Sequence, residues 1–147
     1  MKTKDIPALT NHDIDEVLSS QKCLPKYRGC FMTDQIPMDC KGNGDCGVIN
    51  LDNEFGKSKF DNMGFHWTAW YVKDKTLYYC DSYGGTPTSD IIIYALENDL
   101  NIRWNPIQFQ TDGTSYCGLT AIWFIMKMAN GCNFDDIIKS LKNKEKK

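Results

Sequence analysis

Only two histidines occur in the 147 residues, and one of them, His66, sits in "GFHWTAWYV", a run of aromatic and β-branched residues. A second run of the same kind, "LYYCDSYGG", follows a short charged turn, "KDKT", and carries Asp81. A charge-capable pair inside strands this apolar costs stability unless it is satisfied or used. With "KDKT" as the turn, Val72 faces Leu77, Trp70 faces Tyr79 and Thr68 faces Asp81. Alternation then places His66, Thr68 and Trp70 on the same face as Tyr79 and Asp81. His66 becomes the diagonal neighbour of Asp81, about 7–8 Å away between Cα atoms, which a histidine and a carboxylate can bridge. A carboxylate on one imidazole nitrogen fixes the tautomer and leaves the other nitrogen as a general base. The blander alternative is a histidine bonded to a loop carbonyl, with Asp81 as an ordinary turn residue.

A base needs a nucleophile, and "QFQTDGTSYCGLTAIWF" offers Cys117 at the start of an apolar helix. Amides and the dipole at a helix N-terminus favour a thiolate. Gly118 lets a substrate backbone come close. Gln110, seven residues earlier, can donate its amide to a developing oxyanion beside the backbone N–H of Cys117. The alternative is a buried cysteine at the head of a core helix. Two rivals are weaker. "GNGDCGVINL" superficially resembles the cysteine loop of ovarian-tumour-type deubiquitinases, but Cys46 heads an extended segment rather than a helix. His12 lies at a helix start beside Asp13 and reads as solvated.

The elements that position these residues follow from the pattern. "NHDIDEVLSSQ" predicts a short helix over 12–20, capped by Asn11 or Asp13. "KYRGCFMTDQIP" reads as a loop with a short extended piece, and "CGVINL" as a strand. Residues 65–72 and 77–82 form the hairpin. "TSDIIIYALENDL" continues as a helix from a Ser89 cap, and "IRWNPIQFQ" is extended. "GLTAIWFIMKMANG" is a nearly all-apolar helix ending at Gly131, which belongs in the centre of a core. "NFDDIIKSLKNKEKK" is an amphipathic helix expected to fray over 139–147. The order predicts one α+β domain over 1–147, an antiparallel or mixed sheet packed on a central buried helix.

Composition sets the outer bounds. A chain of this length buries roughly 70% of its unfolded surface, so it needs no covalent staples. No stretch reaches the ~18 apolar residues of a membrane span, and "MKTKDIPALTNHD" lacks a signal-peptide core. Seven cysteines, odd in number and irregular in spacing, read as free thiols of a reducing compartment rather than disulfides or a zinc site. A net charge of −2 gives no general nucleic-acid footprint.

Histidine–tryptophan in one strand, an acidic residue before an aromatic and glycine in the next, and Gln-x6-Cys-Gly opening a helix together resemble the adenain family. These are the adenovirus-type maturation proteases, whose fold is shared with SUMO and ubiquitin-like proteases. "YRGCFMTDQIP" and "CGVINLDN" extend the likeness, so that it runs in order from about residue 11 to 130. The resemblance implies a cysteine endopeptidase with Cys117 as nucleophile, His66 as base, Asp81 as its orienter and Gln110 as oxyanion donor. Trp67 and Gly118 would flank the substrate, with Trp70 helping Trp67 to build a narrow channel. Adenain has glutamate in place of Asp81. It also holds an activating peptide by a disulfide, for which "ENDLNIRWNPI" supplies no cysteine.

By the same resemblance, the substrates are capsid and core precursor proteins of a virus or of a virophage- or Polinton-like element. The setting is the virion and the cytoplasm of an infected cell, with a monomeric enzyme. A deubiquitinating or deSUMOylating enzyme is the same-chemistry alternative, and an idle fold used as a binding module is another. The chemistry requires no cofactor or metal. A DNA cofactor, as in adenain, would meet the lysines of "KSLKNKEKK", but without that tail the net charge falls to about −6, which favours a merely solvated helix end. Replacement Gln110→Ala is expected to lower kcat by roughly 10- to 1,000-fold with little change in KM. A steady-state assay showing a pure KM effect would reassign Gln110 to substrate holding.

Overall fold

The computed structural model describes residues 9–51, 66–108 and 117–145. Among the described residues, four helices and five strands follow in the order α1 (Asn11–Ser19), β1 (Tyr27–Met32), β2 (Cys46–Asn50), β3 (Trp67–Lys73), β4 (Thr76–Cys80), α2 (Ser89–Glu97), β5 (Asn101–Trp104), α3 (Cys117–Ala129) and α4 (Phe134–Glu145). The strands form one sheet in sequence order. Its centre, β2–β3–β4, is antiparallel, while β1–β2 and β4–β5 are parallel. Parallel neighbours need a crossover, and α2 supplies it between β4 and β5. The sheet is therefore mixed.

The hairpin register is the expected one, with Val72 opposite Leu77 and Trp70 opposite Tyr79. Asp74 and Lys75 both take positive φ, 51° and 61°, as the two central residues of a tight hairpin turn must. Alternation sends Trp67, Ala69 and Tyr71 into a core shared with α1, α3 and α4. Trp70, Val72, Leu77 and Tyr79 meet α2 through Ile91 and Tyr94 on the other face. Trp67 and Trp70 thus lie on opposite sides of the sheet, and Trp70 is fully buried. The expected channel built from both tryptophans is corrected on that ground: residues three apart on a strand cannot share a face.

Two helix caps also differ. The cap of α1 is Thr10, whose hydroxyl accepts from the Asp13 amide while the Asp13 carboxylate accepts from the Thr10 amide. Thr88 rather than Ser89 caps α2, with its hydroxyl accepting from Ile91. The helix α4 spans Phe134–Glu145, and Phe134, Ile137 and Leu141, spaced on one stripe, are all buried.

One buried carboxylate, not singled out in the sequence, ties the layers together. Asp45 has no solvent exposure and accepts from the Trp70 indole at 3.0 Å, the Tyr94 hydroxyl, the Arg28 guanidinium at 2.7 Å and the Lys41 amide at 3.0 Å. It joins β1, β3 and α2 through a loop residue. Replacement Asp45→Ala is expected to cost roughly 3–5 kcal/mol, because it leaves the buried Trp70 and Tyr94 donors without an acceptor and Arg28 with Asp39 as its remaining carboxylate partner. Denaturant unfolding with unchanged m-value would show it, and a loss under 1 kcal/mol would mean that the network is dispensable.

Candidate active site

His66 stands immediately before β3 and Asp81 immediately after β4, so both leave the ladder at the same end of the sheet. Nε2 of His66 meets Oδ1 of Asp81 at 2.7 Å, with the two side chains 1% and 4% exposed. The same Oδ1 accepts from the Tyr83 amide at 2.9 Å. The Tyr83 ring lies against the imidazole, with centroids 4.6 Å apart. Gly85 closes the other side of the carboxylate: a methyl group there would stand 2.7 Å from Oδ2. Asp81 is held by position and by two donors.

Cys117 is the first residue of α3 and is buried at 4% exposure. The long apolar helix crosses the sheet against β3, which carries its N-terminus to the His66 end. Burial pulls the His66 pKa down, but the Asp81 hydrogen bond and then the contact with Cys117 outweigh it and push it up to about 9. Nε2 is taken by Asp81, so Nδ1 is the nitrogen left to face the thiol. An imidazole that stays protonated at neutral pH, between an aspartate and a thiol at a helix N-terminus, is suited to holding a thiolate.

The structure therefore brings together Cys117, His66 and Asp81. Gln110 lies outside the described residues. Trp67 and Gly118 are adjacent to the site but covered by Leu9. The Trp67 indole donates to the Leu9 carbonyl at 3.0 Å, and a methyl at Gly118 would meet the Leu9 side chain at 3.1 Å and Trp67 at 3.3 Å. The outer edge of Trp67 borders a cleft of about 310 Å³ that includes Phe31, Met32 and Asn50. Among the rivals, Cys46 is buried in β2 with its thiol pushed upward by burial, and His12 is exposed on α1. Among the described residues, no three His, Cys, Asp or Glu side chains are grouped to hold a metal ion. No described helix is long and apolar enough to cross a membrane. One contributor went unrecognised in the sequence: Asn105, which grips the Asp81 backbone. Its only signal there is an asparagine directly after a strand, which is too common to notice.

Comparison with known proteins bears on the fold. The chain superposes on the crystal structure of the ASFV pS273R protease with a TM-score of 0.59, at 16% identity, over 92% of this chain and 62% of that one. The chain shares the fold of that protease. In sequence it is 26% identical, over 94% of its length, to a protein of Acanthamoeba polyphaga mimivirus named "Putative thiol protease R355". The chain spans about half the length of that relative, 53%. No protein-family model matches the chain.

The raised His66 pKa carries a stability consequence with a definite sign. A folded pKa of about 9 against an ordinary 6.5 means that the imidazolium's contribution is complete below about 6.5 and is lost as pH rises through about 9. Thermal melts from pH 6.5 to 10 are expected to show this alkaline loss in the wild type and a smaller one in Asp81→Asn. Equal pH dependence in the two proteins would contradict the Asp81 origin of the shift.

Proposed function

We propose that this chain is the catalytic domain of a viral cysteine endopeptidase that processes structural and core precursor proteins of its parent genome. The observation that carries the reading is the buried Asp81–His66 pair at 2.7 Å, with Cys117 against the same imidazole at the head of α3. A histidine oriented by a carboxylate and paired with a helix-terminal cysteine forms the arrangement that activates a thiol for acyl transfer. The mimivirus relative's name and the protease fold support it.

In this reading the Cys117 thiolate attacks the scissile carbonyl. The Cys117 amide and the Gln110 side chain take the developing oxyanion, and the His66 imidazolium passes its proton to the leaving amine. Water, deprotonated by the now neutral His66, then hydrolyses the thioester and restores the pair. Asp81 keeps the imidazole in the required tautomer and stabilises its charged form.

Two measurements test the reading together. Iodoacetamide at neutral pH is expected to alkylate Cys117 well before the other six cysteines, as mapped by mass spectrometry, and His66→Ala is expected to erase that preference. Wild-type protein mixed with the structural proteins of the parent genome is expected to cut them, while Cys117→Ala folds but leaves them intact. Cleavage of ubiquitin-like conjugates in place of these proteins would redirect the substrate assignment. Cleavage that survives Cys117→Ala would end the nucleophile assignment.

A further inference from the structure

The ladder between β4 and β5 ends at the pair Tyr79 and Trp104. Two residues on, Asp81 is 3% exposed, and its backbone N–H and C=O lie beyond the last strand pairing. Buried peptide groups in that position need partners, and a strand neighbour is not there to supply them. Asn105, the residue directly after β5 and 1% exposed, fills the role with its side chain. Its Oδ1 accepts from the Asp81 amide at 2.9 Å, and its Nδ2 donates to the Asp81 carbonyl at 2.6 Å. A carboxamide is a peptide group carried on a methylene, so this two-point pairing continues the ladder by one rung.

The second Nδ2 hydrogen is also used. It donates to the Ile107 carbonyl at 3.2 Å, which folds the chain leaving β5 back toward the site. That returning chain rests on the turn after Asp81. Gly84, at φ +73°, donates its amide to the Asp81 carbonyl at 2.8 Å and lies so close that a methyl there would stand 2.8 Å from the Gln108 amide. One buried side chain thus fixes both the backbone of the acidic residue and the first residues after β5.

We propose that Asn105 is a positioning residue of the active site: by clamping the Asp81 backbone it holds the carboxylate on His66 and so keeps the imidazole oriented toward Cys117. The proposal rests on the reading of His66 and Asp81 as base and orienter. Asp81 has no other side-chain anchor of its main chain among the described contacts. The distance that matters is short, since a carboxylate displaced by 1 Å from the imidazole forfeits most of a charge-assisted hydrogen bond.

The test uses Asn105→Ala and Asn105→Thr, the latter keeping one hydroxyl in place of the carboxamide's two polar atoms, on a shorter side chain. With only two histidines in the chain, the His66 ring signals can be followed by NMR across pH. Folding, checked by cooperative thermal melts, is expected to persist in at least the threonine variant. The His66 titration midpoint is expected to drop by about one unit in Asn105→Ala and by less in Asn105→Thr. Alkylation of Cys117 at neutral pH is expected to slow in the same order, by roughly 10-fold in the alanine variant. Neither readout needs a peptide substrate. A wild type without a raised His66 midpoint or a fast Cys117 would defeat the functional reading itself. Folded variants that match a normal wild type in both readouts would overturn the Asn105 assignment alone, and failure of both variants to fold would make the residue purely structural.

Discussion

The register of β3 against β4 is the constraint on which the rest depends. A strand repeats every two residues, so a single-residue slip would exchange the two faces of the sheet. It would send Trp67 toward α2, Trp70 toward α3, and part His66 from Asp81. Two features hold the register. The tight turn at Asp74 and Lys75 sets the pairing from the closed end of the hairpin. Large side chains on both faces, Trp67 in one core and Trp70 with Tyr79 in the other, make any slipped pairing bury the wrong groups.

The two cores have different tasks. The one under α3 is built from contacts of aliphatic and aromatic side chains, among them Phe124, Ile125 and Phe134, and it fixes where the N-terminus of α3 arrives. The opposite core contains the Asp45 network, in which one carboxylate satisfies donors from an arginine, a tryptophan, a tyrosine and a backbone amide. Burying that charge is tolerable only because so many donors converge on it. The network anchors β3 from behind, and β3 is the strand whose first residue follows His66.

At the open end of the sheet, polar groups replace strand pairing. The His66–Asp81 pair, the Tyr83 amide and the Asn105 carboxamide form a connected set of hydrogen bonds. Such sets stiffen a site because moving any member exposes the others to an unpaired, low-dielectric environment. Leu9 adds a lid of a different kind. It covers Gly118 and accepts from Trp67, so the chain entering α1 contributes to the site from a part of the sequence that shows no chemistry of its own.

Much of this was legible in the residues alone. Alternation in "GFHWTAWYV" and "LYYCDSYGG" determined the hairpin, its register and the nearness of His66 and Asp81, because strand periodicity is a local property. The apolar run after Cys117 determined a buried helix for a similar reason. Helix caps were misread by one to three residues, since neighbouring Thr, Ser, Asn and Asp side chains compete for the same amides. The tertiary structure alone decided that α2 covers the second face and that Trp70 belongs to a core rather than a channel. It also decided the roles of Asp45, Asn105 and Leu9. Their partners lie up to 58 residues away along the chain, so no local pattern could have revealed them.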